Sequence, residues 1–433
     1  MVVSATPAVD AAPARWVVEP IDGFRASLPP DRASPGSDKP FPLVLEPARA
    51  RSLEWLLRAV RAEAEALTNA LTRHGAILLR GFDVGSEADF EQVLLAFPTL
   101  RPVGEIFLSE PGRELVAGTR YVFYTNKKVR TGGGLDLGFH TENFYLPDLP
   151  HYVTFYCRVP PPQGGETALL SMVDLYDSLG DDLRRRVEAR AFEVARFPLE
   201  PIAERYGVPV PVLVASLEDK GLHVARSDAG SHLVVHKPAV VVHPSTRRKA
   251  LVVNMSELGD TSRAVLLRYA RDLTGWRWAP HRYVWSSPKV EFVIDNWKYL
   301  AEPVTVVRFF ASELATRLRG AAKVEEPPDP NRLWSAFSAE DGAAVVDATY
   351  RGFSSVPWKR GDIMIIDNLQ LAHSGMPGRG RRVVRASMAN PLLLDCRPGA
   401  PGVQEIASAE PDSLAASLRR FARERAPRAP GER

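Results

Sequence analysis

The sequence has few of the features that would indicate a disulfide-rich or membrane-spanning protein. Only two cysteines, Cys157 and Cys396, occur in 433 residues, which excludes a disulfide framework and C-x-x-C metal or redox motifs. No apolar run approaches the roughly 18 residues of a membrane span, and no basic segment precedes an apolar one at the N-terminus. We therefore expect a cytoplasmic protein without membrane association.

An excess of charge of one sign is also lacking. The 55 lysine and arginine residues are balanced by 52 acidic residues, which gives a formal net charge of +3. This balance does not supply the basic surface that binds nucleic-acid phosphates, so we expect no nucleic-acid partner. A hydrophobic content of 45%, with 30 Gly and 37 Pro, is instead typical of a folded globular chain.

Short apolar runs separated by Pro and Gly turns predict a β fold in the middle of the chain. Leucines at helical spacing predict a helix from Ser52 to His74 that ends at Gly75, and a second helix is predicted over 173–190. This pattern favours an α+β, mainly β chain with a double-sheet jelly-roll (double-stranded β-helix) core, flanking helices and a helical insertion. The predicted strands lie at 121–125, 152–157, 166–170, 191–196, 239–243, 250–254, 363–367 and 382–389.

We expect one folding unit rather than several. Residues 1–40, rich in Pro, Ala and Ser, are predicted to form an N-terminal arm that drapes on the body or stays mobile. A single domain would then span 41–395, with 255–360 as a helical insertion or lid within it. Residues 396–433 are predicted to be a C-terminal tail.

His140 and Glu142 are the first candidate pair of metal ligands along the chain. Side chains two positions apart on an extended strand project to the same face, so His140 and Glu142 could both reach one ion. Two histidines and one carboxylate form the facial set that leaves open positions on non-haem Fe(II). The H-x-E pattern alone is weak evidence, because it arises by chance in many chains.

A third ligand must come from elsewhere in the chain. His373 is the best candidate, because it follows Asp367 by six residues where a predicted strand ends in a polar turn. His236 and His243 are the alternatives, although their segment reads more simply as a strand surface and strand end.

A dense set of arginines lies just beyond His373, in RGRRVVR at 379–385. Guanidinium groups bind carboxylates bidentately, so this set is a candidate clamp for a substrate carboxylate. A solvated turn is the alternative interpretation.

Taken in order, the motifs resemble one known family. The sequence is similar to the Fe(II)/2-oxoglutarate-dependent dioxygenases of the taurine dioxygenase (TauD/TfdA) family, and Glu142 in place of Asp points to the clavaminate-synthase-like branch. The resemblance runs from about residue 75 to residue 390. It rests on GAILLRGF (75–82), HTE (140–142), FYC (155–157), GGET (164–167), VVHPSTRRKALVVN (241–254), WKRGD (358–362), DN (367–368), His373 and Arg382.

The resemblance implies a role for each matching residue. His140, Glu142 and His373 would hold Fe(II), with 2-oxoglutarate and O2 as co-substrates. Thr167 would hydrogen-bond 2-oxoglutarate, and Arg382 would pair with its distal carboxylate.

The strand register leaves the choice of arginine open. With Arg382 facing inward, Val384, Ala386 and Met388 share its face, and Ala386 stands where taurine dioxygenase uses a second arginine. That difference argues against a sulfonate substrate. The neighbouring register would turn Arg381 and Arg385 inward instead.

The resemblance implies an oxidoreductase that hydroxylates an unactivated C–H bond, with release of succinate and CO2. Glu142 argues against halogenation, because related halogenases have a small residue at this position. Desaturation or cyclisation would use the same residues. A non-catalytic jelly-roll protein that binds a small molecule is the alternative from another class.

The expected partner is a small molecule, either free or carrier-bound: an amino acid, an amine or a natural-product intermediate. Asn126, Asn143 and Tyr145 are candidate substrate-binding residues because they flank the predicted metal ligands, and Asn254 is a candidate because it ends a strand expected to run beside the site. A structural role as a hydrogen-bonded polar residue is the alternative for each of them. A homo-oligomer is left open.

Overall fold

The computed structural model describes residues 18–31, 37–106, 114–125, 138–228, 230–255, 261–286, 329–406 and 412–425. Among the described residues, helices lie between and after the strands. They are α1 (Leu53–Ala62), α2 (Ala64–His74), α3 (Glu87–Ala96), α4 (Met172–Asp177), α5 (Asp181–Glu188), α6 (Leu199–Tyr206), α7 (Val210–Asp219), α8 (Thr261–Asp272), α9 (Ala279–Ser286), α10 (Ala339–Gly352) and α11 (Leu414–Arg425).

The strands are concentrated in the middle and toward the end of the chain. They are β1 (Phe24–Ser27), β2 (Leu43–Pro47), β3 (Ala76–Leu79), β4 (Phe123–Tyr124), β5 (Asp148–Val159), β6 (Gln163–Gly164), β7 (Thr167–Ser171), β8 (Phe192–Pro198), β9 (His223–Ser227), β10 (Gly230–Lys237), β11 (Val240–Val242), β12 (Lys249–Leu251), β13 (Ser354–Val356), β14 (Ile363–Asp367), β15 (Leu371–Gly375), β16 (Gly378–Arg379), β17 (Val383–Leu393) and β18 (Val403–Glu405).

The largest sheet of the described residues has seven strands in the order β1-β2-β3-β14-β5-β17-β4. Smaller sheets have the orders β13-β7-β15, β12-β11-β18 and β8-β10-β9, and β16 pairs with β6. The chain therefore combines mixed sheets with flanking helices. The strand β1 lies within the predicted arm and pairs with β2, so this part of the arm packs on the body.

Alternation along the central strands divides the interior into two layers. On β14, Ile363 and Ile365 pack with the helices α1 to α3, whereas Met364 and Ile366 pack on the opposite face of the sheet. Successive side chains of a strand point to opposite faces, so a strand with both sets apolar must be covered on both sides. On β5, Phe155 lies on the second face, which points toward His373.

A glycine lets the helical layer approach the strand that carries His373. Gly75 ends α2 in the left-handed conformation with φ 68°, as the sequence predicts. A Cβ atom at this position would lie 2.8 Å from Leu371 Cγ on β15. The absence of a side chain therefore allows α2 and β15 to pack together.

Several helix boundaries differ from the predicted ones. The helix expected over 52–74 is interrupted at Glu63 and forms α1 and α2, and the one expected over 173–190 forms α4 and α5. The helices α6 and α7 are not predicted, because Pro198 and Pro209 at their N-termini read as turn residues. Among the described residues, no helix combines the length and apolar character needed to cross a membrane.

Candidate metal centre and co-substrate pocket

His140 and His373 lie directly opposite each other, although more than 200 residues separate them in the sequence. The backbone of His140 forms isolated bridges to His373 on one side and to Asn254 on the other. Each histidine donates its N–H to the carbonyl of the other at 3.1 Å. This pairing brings the two imidazole rings to a centroid distance of 4.4 Å.

Glu142 reaches the same point from a turn rather than from a strand. The extended conformation expected over 140–142 ends early, because the chain turns at Glu142 and Phe144 N–H donates to the Thr141 carbonyl at 3.2 Å. Glu142 Oε2 nevertheless lies 3.7 Å from His140 Nε2 and 3.3 Å from His373 Nε2. The three candidate ligand atoms all lie within 4.8 Å of one another, so a single ion could contact them.

The chemistry of this cluster fits a divalent transition metal. His140 Nδ1 lies 2.9 Å from the Gly138 carbonyl, which can only accept, so Nδ1 carries the proton and Nε2 keeps its lone pair. Metal-bound histidines usually make such a second contact. The side chains of Glu142 and His373 are buried, whereas that of His140 is 30% exposed, so the cluster opens on one side. Such a set with an open side is typical of non-haem Fe(II).

In a second set of two histidines and one carboxylate, one histidine is hydrogen-bonded at both ring nitrogens. His243, one of the alternative third ligands, lies in this set with His151 and Asp367. His243 Nδ1 accepts from the N–H groups of Ser245 and Thr246 at 3.2 and 3.0 Å, so its Nε2 carries the proton. Nε2 then donates to Asp367 Oδ2 at 2.8 Å. Neither ring nitrogen of His243 is left to bind a metal.

Asp367 is held in its ionised form within this second set. Burial by itself favours the neutral acid, but His151 and His243 hold the pKa of Asp367 well below its usual value. Gln370 Nε2 and Leu369 N–H also donate to the carboxylate, at 2.9 and 3.1 Å. The hydrogen bonds indicate a structural role for this set.

The other alternative ligand, His236, lies on β10. Burial lowers the pKa of its ring, which favours the neutral form. Among the described residues, it belongs to neither of the two groups whose atoms could share an ion.

A largely buried guanidinium lies next to the strand of His373. Thr167 is on β7, which pairs with β15, and Arg382 Nη2 donates to Thr167 Oγ1 at 3.2 Å. Burial lowers the pKa of Arg382, against the opposing influence of Cys157 and Glu166. In the described part of the chain, the buried Nε of Arg382 has no hydrogen-bond partner. A buried cation with an unused donor is suited to bind an anion.

The neighbouring arginines point elsewhere. Arg381 is exposed, and Arg385 Nε donates to Glu87 Oε1 at 2.9 Å while its guanidinium lies 4.7 Å from the centroid of the Tyr124 ring. The register therefore places Arg382, rather than Arg381 or Arg385, beside Thr167.

The residues that share the inward face of β17 form part of the same interior. Val384, Ala386 and Met388 are buried and belong to the apolar cluster that contains Phe155. The ring of Phe155 lies 5.0 Å from that of His373, edge to face. Apolar side chains of β17 and β5 therefore lie between the strand that follows Arg382 and the ring of His373.

Of the candidate substrate-binding residues, the structure places Asn254 beside the ligands. Asn254 pairs with His140, and its Nδ2 donates to the hydroxyl of Tyr145, a side chain that is 36% exposed. Asn143 adopts φ 58°, and its carbonyl accepts from Lys237 Nζ at 3.2 Å. Asn126 lies outside the described residues.

Two residues near the ligands are missed by reasoning from the sequence. Phe155 packs against His373, and Asn368 hydrogen-bonds the backbone of Glu142. The DN dipeptide that contains Asn368 is part of the resemblance, but nothing in a single sequence pairs it with a residue 226 positions away.

Two imidazoles and a carboxylate, open on one side and adjacent to a buried guanidinium, define the class of non-haem iron oxygenases. A family model described as "Taurine catabolism dioxygenase TauD, TfdA family" matches residues 38–276, more than half of the chain. The chain therefore belongs to the TauD/TfdA family, and it is an Fe(II)- and 2-oxoglutarate-dependent dioxygenase. The matched range ends before His373 and Arg382, whose placement depends on the geometry above.

Individual relatives extend the likeness along the chain. A clavaminate synthase-like protein of Arabidopsis thaliana is 26% identical over 376 residues, which cover 81% of this chain and 94% of the relative. The (S)-phenoxypropionate/alpha-ketoglutarate-dioxygenase of Sphingobium herbicidovorans is 30% identical over 118 residues, 27% of this chain and 38% of the relative. Among solved structures, PvcB from Pseudomonas aeruginosa is 16% identical with a TM-score of 0.45, covering 88% of this chain and 95% of that chain.

Proposed function

We propose that His140, Glu142 and His373 hold the Fe(II) of this dioxygenase and that Thr167 and Arg382 bind 2-oxoglutarate. The observation that carries the proposal is the convergence of three ligand atoms within 4.8 Å. When bound, Fe(II) supplies the activation of O2 that couples decarboxylation of 2-oxoglutarate, with release of succinate and CO2, to oxidation of the substrate.

Arg382 is proposed to orient 2-oxoglutarate by pairing with its distal carboxylate. The buried Nε and the Nη2 that contacts Thr167 supply donors on one guanidinium, which suits a planar carboxylate. The hydroxyl of Thr167 is buried and can add a hydrogen bond to the same group. These residues would direct the co-substrate toward His373 on the adjacent strand, where the ring of Phe155 packs edge to face against that of His373.

We further propose that the layers of sheet form a double-stranded β-helix with the site between them. In support, Leu169 on β7 and Leu371 on β15 share one buried cluster with Phe155 and Met364 of the seven-stranded sheet. We propose 41–395 as the domain, on which β1 of the predicted arm and β18 and α11 of the predicted tail pack.

The substrate is proposed to be a small amino acid, amine or natural-product intermediate, free or carrier-bound, that is hydroxylated at an unactivated C–H bond. Asn254, whose backbone pairs with His140, and Tyr145, whose hydroxyl accepts from Asn254, are the described residues proposed to contact it. Asn126 and Asn143 remain candidates. Desaturation or cyclisation would use the same residues, whereas family membership disfavours a purely binding role.

A coupled screen tests this proposal. Candidate amino acids, amines and their carrier-bound forms are incubated with protein, Fe(II), 2-oxoglutarate and O2, and succinate release is measured together with the mass of the product. A gain of 16 Da with stoichiometric succinate supports hydroxylation, and a loss of 2 Da indicates desaturation or ring closure. Glu142→Ala is the matched inactive control, and succinate release that survives in it contradicts the proposed site.

A further inference from the structure

Asn368 lies in the tight turn between β14 and β15, five residues before His373, and its side chain is buried. Its Oδ1 accepts from the N–H of Glu142 at 2.8 Å, and its Nδ2 donates to the carbonyl of the same residue at 3.3 Å. Nδ2 also donates to the Pro150 carbonyl at 2.9 Å. One amide side chain thus pairs with both backbone groups of a proposed metal ligand.

The backbone of Glu142 depends on this contact because it lies in a turn. Glu142 is outside the strand pairing that fixes His140, and the next residue, Asn143, adopts φ 58°. A buried N–H group must find a partner, and here that partner is a side chain rather than a neighbouring strand. The position of the Glu142 carboxylate therefore depends on where Asn368 holds its backbone.

The turn that carries Asn368 is itself firmly anchored. The N–H of Asn368 donates to the His151 carbonyl at 2.8 Å, and that of Asp367 to the Gly75 carbonyl at 2.8 Å. His243 holds the carboxylate of Asp367. Since β15 leads directly from this turn to His373, one anchored turn fixes the relative positions of Glu142 and His373.

We propose that Asn368 is a positioning residue that sets the affinity and geometry of the metal centre by holding the backbone of Glu142. The inference rests on the proposed assignment of Glu142 and His373 as ligands. Interactions that orient metal ligands are typically worth about 10–100-fold in metal affinity, so a comparable loss is expected when this one is removed.

Two substitutions test the role. Asn368→Asp keeps the size and the acceptor for Glu142 N–H, but an ionised carboxylate turns a second oxygen toward the carbonyl oxygens of Glu142 and Pro150, to which it cannot donate. Asn368→Ala removes all three contacts. Both should raise the dissociation constant for Mn(II), measured anaerobically by EPR of the free ion, by about 10–100-fold. If Asn368→Ala fails to fold, the isosteric Asn368→Asp carries the test.

Two variants control for effects on folding. Gln370→Ala alters the same turn without touching Glu142, since Gln370 Nε2 contacts Thr72 and Asp367. Asn390→Asp makes the same chemical change at an asparagine that also bridges two backbone groups, the Arg101 N–H and the Thr99 carbonyl. Both controls should bind Mn(II) as the wild type does, and metal-free melting temperatures report any loss of stability.

A double-mutant cycle separates positioning from a general structural role. Ni(II) binds imidazole tightly enough to report the affinity left in Glu142→Ala. If Asn368 acts through Glu142, Asn368→Asp should weaken Ni(II) binding in the wild type and change it less than about 2-fold in Glu142→Ala. Equal losses in both backgrounds, or wild-type Mn(II) affinity in both Asn368 variants, would overturn the inference. Failure of the wild type itself to bind Mn(II) would instead refute the proposed metal site.

Discussion

Two clusters in this protein share a composition of two histidines and one carboxylate but differ in their hydrogen bonds. In the His151, His243 and Asp367 set, the imidazole of His243 is used at both nitrogens, and the carboxylate accepts from a ring, an amide side chain and a backbone N–H. In the proposed ligand set, His140 is fixed only through Nδ1, and its Nε2 faces the carboxylate at 3.7 Å.

The comparison teaches that ligand-type residues within reach of one another do not by themselves make a metal site. In the His151, His243 and Asp367 set, called the closed cluster here, backbone donors fix the proton position of His243, so binding a metal through His243 would first require breaking those bonds. The open cluster has a lone pair available and a side exposed to solvent. We therefore expect changes in the first to cost stability and changes in the second to cost metal binding.

The largest effect is expected from the proposed ligands themselves. Glu142→Ala and His373→Ala should each abolish Fe(II)-dependent succinate release, because two remaining donors do not hold the ion in place. His243→Gln, which keeps a donor toward Asp367, should retain metal affinity in its folded fraction. Isothermal titration with Mn(II) checks this. A folded His243→Gln protein that has lost its metal affinity would contradict the prediction that only the open cluster binds the metal.

The closed cluster should show the opposite behaviour. Asp367→Asn replaces the charged acceptor of His243 and Gln370 with an amide and should lower the free energy of unfolding of the metal-free protein by about 1.5–3 kcal/mol, the value of a hydrogen bond to a charged group. Glu142→Gln should change it by less than about 1 kcal/mol. Urea denaturation measures both, and equal losses would show that the two clusters are alike in their contribution to stability.

Substitution of Arg382, whose guanidinium lies beside the open cluster, should affect the binding of 2-oxoglutarate. Arg382→Ala should raise the KM for 2-oxoglutarate by about 30–100-fold, a loss of about 2–3 kcal/mol of binding. Arg385→Ala is the matched control, because Arg385 pairs with Glu87 on the other side of the sheet. An unchanged KM in Arg382→Ala, with a raised one in Arg381→Ala, would favour the neighbouring register.

The smallest effect is a dependence of stability on acid pH. Because the folded-state pKa of Asp367 is depressed, its contribution is complete above the unfolded value of about 4 and is lost as the pH falls below it. Wild type should lose up to about 1.4 kcal/mol more per pH unit than Asp367→Asn in this range. Denaturation curves between about pH 5 and pH 3 measure this difference, and parallel pH profiles would contradict the proposed ionisation.

The sequence predicts the parts of the site that depend on short spacing. His140 and Glu142 lie two residues apart, and His373 follows Asp367 closely, so a local pattern could suggest each. The contact between Asn368 and Glu142 spans 226 positions, and that between His243 and Asp367 spans 124. Such pairs form only after the sheets assemble, and no local pattern distinguishes His243, which is closed by Ser245 and Thr246, from a ligand.

The prediction of the fold has the same limit, because some backbone conformations are not indicated by the local sequence. The strands β14 and β5 are covered on both faces and therefore appear in the sequence as short apolar runs, which is why they could be predicted. The turn at Glu142 could not be, since the sequence HTEN is compatible with an extended chain, and asparagine can adopt the left-handed conformation of Asn143 but does not require it. The helices α6 and α7 were hidden because the prolines that begin them also occur in turns.

Anaerobic spectroscopy tests directly whether His373, rather than His243, is the third iron ligand. Wild-type protein is titrated anaerobically with Fe(II) and then 2-oxoglutarate, and the visible spectrum is recorded beside those of His373→Ala and His243→Gln. We expect a weak metal-to-ligand charge-transfer band in wild type and His243→Gln and none in His373→Ala. The absence of a band in wild type, or a band that persists in His373→Ala, would contradict it.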